Sequence, residues 1–122
     1  QKMKDHIEGT IKKLELPYRI VTLCGGDLGF TSALTYDFEI FSPAQEKWLE
    51  VSSVSNFETF QSNRLKIRFR DNEGNIDLVH TLNGSALALP RVLAAILENN
   101  QSDDGIKVPK ALQKYTGFSF IK

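Results

Sequence analysis

The spacing of apolar residues predicts two amphipathic helices. Residues 3–14 place an apolar side chain at every third or fourth position, and Pro17 ends that pattern. Residues 89–97 show the same spacing, and Pro90 is compatible with a helix only because it lies in the first turn. Each helix is therefore expected to bury one face against the rest of the protein.

Between these helices, alternating apolar and polar residues predict β-strands. Apolar and polar residues alternate over residues 35–41, so one face of this strand is apolar and the other is acidic and expected to be exposed to solvent. A hairpin connection leads into a strand over residues 48–55, and residues 57–63 are expected to form a short helix. Strands joined by such short connections must be mostly antiparallel. Further strands are expected at residues 18–23, 65–70 and 76–83.

Together these elements predict an α+β fold, in which an antiparallel β-sheet has helices packed on one face and the site on the other. With 122 residues the chain is long enough for one core, so residues 1–122 are expected to form a single domain. Residues 101–122 are polar and are expected to form a tail, with one more turn of helix after Pro109.

Composition narrows the function classes. Lys+Arg and Asp+Glu balance at 15 each, so no overall field directs the chain to nucleic acid or to an anionic membrane. Alternating basic residues in 64–70 could contact a phosphate backbone, but a half-exposed strand explains the same pattern. The single Cys24 excludes an internal disulfide. A cytoplasmic protein with no membrane contact is expected, and the start at Gln1 suggests a piece of a longer chain.

Arg91 is the strongest single candidate for chemistry, because it lies at the start of the second helix. A helix start offers free N–H groups and partial positive charge, so a cation there is unfavourable unless an anion lies between them. Small residues precede it at Gly84, Ala86 and Ala88 and keep the backbone accessible. This pattern favours a phosphate site.

Glu50 is the second candidate, because serines follow it at positions 52, 53 and 55. Carboxylate and hydroxyl oxygens suit a magnesium ion that bridges phosphates. In a regular strand Glu50 and Ser53 point to opposite faces, so joint binding requires a bulge or a bend. A solvent-facing strand is the alternative interpretation, and it applies equally to Asp37 and Glu39, which share a face and could form a ligand pair.

Four separate motifs, in order and in spacing, resemble the C-terminal part of the seryl-tRNA synthetase family, a class II aminoacyl-tRNA synthetase family. Gly84, Ala86, Ala88 and Arg91 resemble the third signature motif of class II, which usually carries glycine at the positions of the two alanines. The resemblance extends over roughly residues 16–115. The motifs are residues 24–30, residues 35–39, residues 50–57 with 60, 61 and 64, and residues 80–88 with 91 and 97–99.

The resemblance implies a partial class II catalytic fold and a role in a serine-tRNA ligase, which activates serine with ATP to seryl-adenylate and passes it to tRNA(Ser). ATP and Mg²⁺ are the implied cofactors, the tRNA is held mostly by parts outside this chain, and the parent enzyme is expected to be a homodimer. Arg91 is the implied catalytic residue, which stabilises the triphosphate. The implied contacts are Glu50, Val51, Ser52, Ser53 and Arg91 for ATP, Glu50 and Ser53 for the metal, and Asn83 and Ser85 for serine.

The chain also departs from the family. The first and second class II motifs and the tRNA-binding helical arm are missing, so the isolated chain is expected to be inactive. Asn63 stands where relatives often have a second arginine beside Arg64. One alternative is a freestanding synthetase-like module that binds an amino acid, a carrier protein or RNA without charging tRNA. Another is an interaction domain that keeps the fold without needing Glu50 and Arg91. Residues 50–57 resemble the synthetases for threonine, proline or glycine less than they resemble the synthetase for serine.

Overall fold

Four helices and nine strands build the chain, and the computed structural model describes all 122 residues. None of the helices is long and apolar enough to cross a membrane. In chain order the elements are α1 (Lys2–Lys13), β1 (Tyr18–Thr22), β2 (Leu34–Ser42), β3 (Lys47–Glu58), α2 (Phe60–Leu65), β4 (Arg68–Arg70), β5 (Ile76–Leu78), β6 (Thr81–Gly84), α3 (Leu89–Asn99), β7 (Gln101–Ser102), β8 (Gly105–Lys107), α4 (Lys110–Thr116) and β9 (Phe120–Ile121).

The main sheet has the strand order β1-β2-β3-β6, and every neighbouring pair is antiparallel. Helices α1 and α3 cover one face of it, because both carry apolar residues at the spacing that the sequence predicts. The α+β fold with helices on one face of an antiparallel sheet is confirmed. The buried core consists of Ile7, Ile11, Leu14, Leu16, Phe38, Ile40, Val51, Val54, Val92, Ala95 and Ile96.

A β-bulge interrupts the pairing of β2 with β3. Phe38 lies opposite Ser52 and Glu39 opposite Glu50, so Val51 is the extra residue on β3. Residues that lie opposite each other share a face of the sheet, and faces alternate along a strand. The bulge therefore turns Val51 and Ser52 toward the helices, where both are about 1% exposed. Glu50 and the next outward residue of β3 consequently share the other face.

Two strand predictions are wrong in their extent. The strand expected over residues 76–83 is divided into β5 and β6, and β5 leaves the main sheet to pair with β4 in a separate hairpin. The strand expected over residues 65–70 is reduced to β4, because α2 continues through Leu65 and ends where Lys66 takes a left-handed conformation with φ 58°. Helix α2 starts later than expected because β3 continues through Glu58.

The acidic face of β2 is less exposed to solvent than the alternation of residues predicts. Thr35 is only 3% exposed, and its hydroxyl lies 2.7 Å from the hydroxyl of Ser55 on β3. Asp37 and Glu39 are half-buried. The prediction of a solvated face is therefore wrong for Thr35, because the neighbouring strand supplies a hydroxyl partner.

The last part of the chain has more structure than a polar tail with one helical turn. Strands β7, β8 and β9 form a three-stranded sheet, with α4 between β8 and β9. Gly105 is required there, because its φ is +128° and a Cβ would lie 2.2 Å from the backbone oxygen of Ile121. Val108 is buried, and Leu112 packs against the main core. The segment is thereby attached to the helix side of the main sheet.

Candidate functional site

Polar side chains gather on the face of the main sheet that the helices leave uncovered. The register places Ser53 opposite Asp37, and Ser55 opposite Asn83. Because Glu50 lies opposite Glu39 across the bulge, it faces the same way as Ser53. The structure therefore meets the geometric requirement that the sequence left open, because Glu50, Ser53 and Asn83 lie on one surface. Val51 and Ser52, which were also expected to contact ATP, lie on the opposite face and are buried.

Arg91 lies beside Glu50 at the start of α3. Its Nη1 donates a hydrogen bond of 2.6 Å to the backbone oxygen of Glu50. The first turn of α3 has no side-chain cap and no acidic residue, and the only ion pairs of the structure are Lys12 with Glu8 and Arg19 with Glu39. The guanidinium is thus oriented by a carbonyl but has no carboxylate partner, and its remaining N–H groups can bind an anion.

The connection from β6 to α3 runs along the bulged part of β3. Ser52 Oγ donates to the backbone oxygen of Ser85 at 2.5 Å, and the Ser85 N–H donates to the backbone oxygen of Ser53 at 3.2 Å. In return, the Ser53 N–H donates to Ser85 Oγ at 3.4 Å. The Ala88 N–H reaches the backbone oxygen of Val51 at 2.6 Å. These bonds set the helix start beside Glu50 and the Ser85 hydroxyl beside Ser53.

The far end of α3 is also tied to the sheet. Glu98 Oε2 accepts a 2.6 Å hydrogen bond from Ser42 Oγ and a 3.4 Å bond from the Ala44 N–H. Asn99 Nδ2 donates to the backbone oxygen of Phe41 at 3.0 Å. Both contacts lie on the β2–β3 hairpin, so α3 is held at each end by the strands that carry the site.

The small residues before α3 serve two purposes. A Cβ on Gly84 would lie 3.0 Å from Met3 Cε and 3.3 Å from Val54 Cγ2, so this glycine lets β6 pack under α1. Gly84 and Ala86 are both exposed, and Ala88 is half-buried. The expectation of an accessible backbone therefore applies to Gly84 and Ala86, and at Gly84 close packing also favours a residue without a side chain.

Sequence reasoning missed a cluster next to Glu50. Arg19 donates from Nε to Glu39 Oε2, and its guanidinium carbon lies 4.7 Å from the ring centroid of Trp48. Asp37 Oδ1 is buried and has no hydrogen-bond partner. The alternation of residues 35–39 was the only signal of this cluster in the sequence. Arg19 and Trp48 lie on β1 and β3, and only the order of strands in the sheet brings them next to β2.

The donor set fits a magnesium ion only in part. No group of three or more His, Cys, Asp or Glu side chains is placed to hold a metal ion. Glu50 and Ser53 supply one carboxylate and one hydroxyl on the same face, which are oxygen donors of the kind that Mg²⁺ prefers. Mg²⁺ commonly takes its other ligands from phosphates and water. These two residues therefore fit a metal that arrives with a nucleotide.

Comparison with known proteins gives a family match. The model of the tRNA synthetase class II core domain (G, H, P, S and T) matches residues 1–100. The chain is 59% identical over 116 residues to the serine-tRNA ligase of Salinibacter ruber, and 52% identical over 122 residues to that of Finegoldia magna. It covers 27% and 29% of those two relatives, respectively, and 93% and 99% of its own length is matched.

Solved structures give the same result. The seryl-tRNA synthetase of Pyrococcus horikoshii, complexed with ATP, superposes with a TM-score of 0.91 at 44% identity, and the match covers 99% of this chain and 28% of that one. The cytoplasmic serine-tRNA ligase of Naegleria fowleri, in complex with AMP, superposes with a TM-score of 0.89 at 32% identity, covering 99% and 29% of the two chains.

Proposed function

Because the chain belongs to the tRNA synthetase class II core domain family (G, H, P, S and T), we propose that it is part of a serine-tRNA ligase. The proposed enzyme activates serine with ATP to seryl-adenylate and transfers the serine to tRNA(Ser). The observation that carries the proposal is the hydrogen bond from Arg91 to the Glu50 backbone, which joins the uncapped start of α3 to the bulged strand. Serine-tRNA ligases among the relatives support the choice of amino acid.

In the proposed reaction Arg91 binds the triphosphate of ATP. When the serine carboxylate attacks the α-phosphate and pyrophosphate leaves, negative charge develops on phosphate oxygens. A guanidinium that the Glu50 carbonyl already holds in place stabilises this charge without reorganising, which is the usual source of large electrostatic effects in catalysis. The free N–H groups at the start of α3 add to the same positive field.

Glu50 and Ser53 are the proposed metal ligands. A bound Mg²⁺ supplies positive charge that neutralises the phosphate oxygens. Glu50 offers its carboxylate and Ser53 its hydroxyl on the uncovered face of β3. Val51 and Ser52 are buried, so in this proposal they shape the ATP site through the bulge and through the Ser52 bond to Ser85, with only their backbone near the nucleotide.

Asn83 and Ser85 are the proposed contacts to serine. The amide of Asn83 lies on the site face next to Ser55, and the Ser85 hydroxyl lies beside Ser53. A site that hydrogen-bonds a substrate hydroxyl rejects analogues without one, because its own polar groups are then left unpaired. Alanine is therefore expected to be a poor substrate.

The remaining assignments belong to the same proposal. Residues 1–122 form a single domain at the C-terminal end of the catalytic region, including the tail at 101–122, and the packing of Leu112 on the main core supports this. Because the chain spans less than a third of the relatives it matches, most contacts to tRNA(Ser) and the homodimer interface are assigned to the rest of the enzyme. The enzyme acts in the cytoplasm, where charged tRNA is used.

Serine-dependent exchange of labelled pyrophosphate into ATP tests the proposal in the full-length protein. Exchange with serine, and much weaker exchange with threonine, proline, glycine or alanine, is the expected result. Absence of exchange with every amino acid would favour a binding module that does not charge tRNA. The isolated 122-residue chain is expected to show no exchange, because Arg91 alone does not align serine with the α-phosphate.

A further inference from the structure

An aromatic platform lies at the end of β3 remote from Glu50. We use this name for the side chains of Phe30, Phe60 and Arg64. The rings of Phe30 and Phe60 meet edge to face, with centroids 5.7 Å apart and an interplanar angle of 84°. The Arg64 guanidinium carbon lies 3.5 Å from the centroid of Phe60, and its Nη1 donates to the backbone oxygen of Phe60 at 3.1 Å.

The platform exposes apolar surface to solvent. Phe30 is 90% exposed, so its ring contributes almost nothing to the core. Isolated exposed apolar residues are ordinary, but this ring stands against a second aromatic ring that carries a cation. Next to the platform lies a cavity of about 370 Å³, which is lined by residues 31–33, 57–60, 63 and 64. Phe30 is not one of these lining residues, but its ring contacts Phe60, which is. A flat ligand that stacks on Phe30 therefore lies at the edge of the cavity.

The charges around this cavity suit a nucleotide. Arg64 forms no ion pair, so its free N–H groups can bind a phosphate. Glu58 is exposed, forms no ion pair either, and can accept a hydrogen bond from the exocyclic amine of cytosine or adenine. Asn63 adds an exposed amide that can donate or accept. Aromatic rings with an adjacent arginine are a recurrent means of binding unpaired bases.

The cavity next to the platform lies at the end of β3, which pairs with β6 of the candidate serine site. Glu58 lies opposite Thr81, and Ser55 lies opposite Asn83 on the same two strands. At a rise of about 3.3 Å per residue, Glu58 is roughly 10 Å from Ser55 along β3. We infer that the platform stacks an unpaired base at the single-stranded 3′ end of tRNA(Ser), an inference that rests on the proposed ligase function. It gives this chain a direct tRNA contact of its own.

Separating the two half-reactions tests the inference in the full-length enzyme. Phe30→Ala is expected to lower the rate of serine transfer from preformed seryl-adenylate to tRNA by about 5- to 100-fold, the range for loss of one base stack. Pyrophosphate exchange is expected to stay unchanged, because it does not involve tRNA. Phe30→Trp is expected to restore transfer, whereas Phe118→Ala, which removes another exposed ring, is expected to leave both reactions unchanged. Equal transfer by Phe30→Ala and the wild type would overturn the inference.

A binding measurement separates this inference from the ligase proposal. The probes are single-stranded RNA tetranucleotides of the sequence 5′-ACCA-3′. In each probe a different base is replaced by 2-aminopurine, whose fluorescence falls when that base stacks, so that every position is tested. Quenching by the wild type that is lost in Phe30→Ala and persists in excess ATP supports the inference even in protein without exchange activity. Displacement by ATP would assign the platform to the nucleotide substrate, and absence of quenching would mean that no base binds there. Either of these results overturns the inference.

Discussion

The two ends of β3 are built differently. At the Glu50 end, hydrogen bonds to the backbone hold the polar side chains. Arg91 donates to the backbone oxygen of Glu50, and the connection before α3 forms hydrogen bonds with the bulged part of β3. At the Glu58 end, Phe30 projects into solvent from a loop. A rigid frame suits groups that must meet a transition state, whereas an exposed ring suits a flexible partner that arrives from outside. We therefore propose that the chemistry takes place at the first end and that the second end binds the partner.

The largest expected effect comes from the Glu50 end. Arg91→Ala is expected to lower pyrophosphate exchange in the full-length enzyme by roughly 100- to 1000-fold, as loss of one preorganised group that stabilises transition-state charge does. Arg68→Ala, which removes an exposed arginine from the β4–β5 hairpin, is the matched control and is expected to change exchange less than about twofold. Circular dichroism should give the same melting temperature for both variants. Equal exchange by the two variants would contradict the assignment.

Glu50→Gln is expected to have the next largest effect. The substitution keeps the shape of the side chain and removes the charge that is assigned to the metal. Loss of a charged contact of about 1.5–3 kcal/mol corresponds to roughly a 10- to 100-fold lower exchange rate at limiting Mg²⁺. A magnesium titration of exchange should show partial recovery at high Mg²⁺. Glu46→Gln, in the exposed hairpin, is the control, and a titration curve identical to that of the wild type would remove Glu50 from the metal site.

A smaller effect is expected where α3 is tied to the hairpin. Ser42→Ala removes the short hydrogen bond to Glu98 and leaves the carboxylate with only the longer bond from Ala44. We expect a loss of about 1–3 kcal/mol in the free energy of unfolding, since a partly buried acceptor loses its partner. Urea unfolding measures it, with the exposed Ser119→Ala as control. If exchange fell as far as in Arg91→Ala, the far end of α3 would matter as much as its start.

The smallest effect concerns the β4–β5 hairpin beyond the Glu58 end. Hydrogen bonds from the side chain and backbone of Asn75 lower the pKa of Asp71 below its ordinary value of 3.8. Because the folded pKa is the lower one, the turn is fully stabilised above 3.8 and loses this contribution as the pH falls through the pKa of the folded form. NMR titration of the Asp71 carboxyl carbon should show this, and Asn75→Ala should raise the pKa. Identical titrations would mean that the turn does not depend on Asn75.

The sequence predicted what depends on local pattern. Ile7 and Ile11 in α1, and Val92 and Ile96 in α3, are buried as their spacing requires. Arg91 was selected as a candidate from its position, because a cation at a helix start is unfavourable unless an anion binds there, and its catalytic role also remains a prediction. The roles assigned to Glu50, Ser53, Asn83 and Ser85 remain predictions, which the shared face makes geometrically consistent.

The features that could not be predicted from the sequence depend on contacts between distant segments. A bulge at Val51 has no local signature, because it is defined by how β3 pairs with β2. The division of residues 76–83 arises because β5 pairs with β4 and β6 with β3. The β7-β8-β9 sheet escaped notice because its strands are only two or three residues long, too short for a periodic pattern.

Direct binding of ATP to the full-length enzyme is the measurement that tests the assignment of the Glu50 end most directly. Isothermal titration calorimetry would compare the wild type with Arg91→Ala and with Arg68→Ala in the presence of Mg²⁺. We expect Arg91→Ala to weaken ATP binding by about tenfold or more, as loss of a charge-assisted contact to phosphate does, and Arg68→Ala to leave it unchanged. Unchanged ATP affinity in a folded Arg91→Ala variant would contradict the account and leave the start of α3 with a purely structural role.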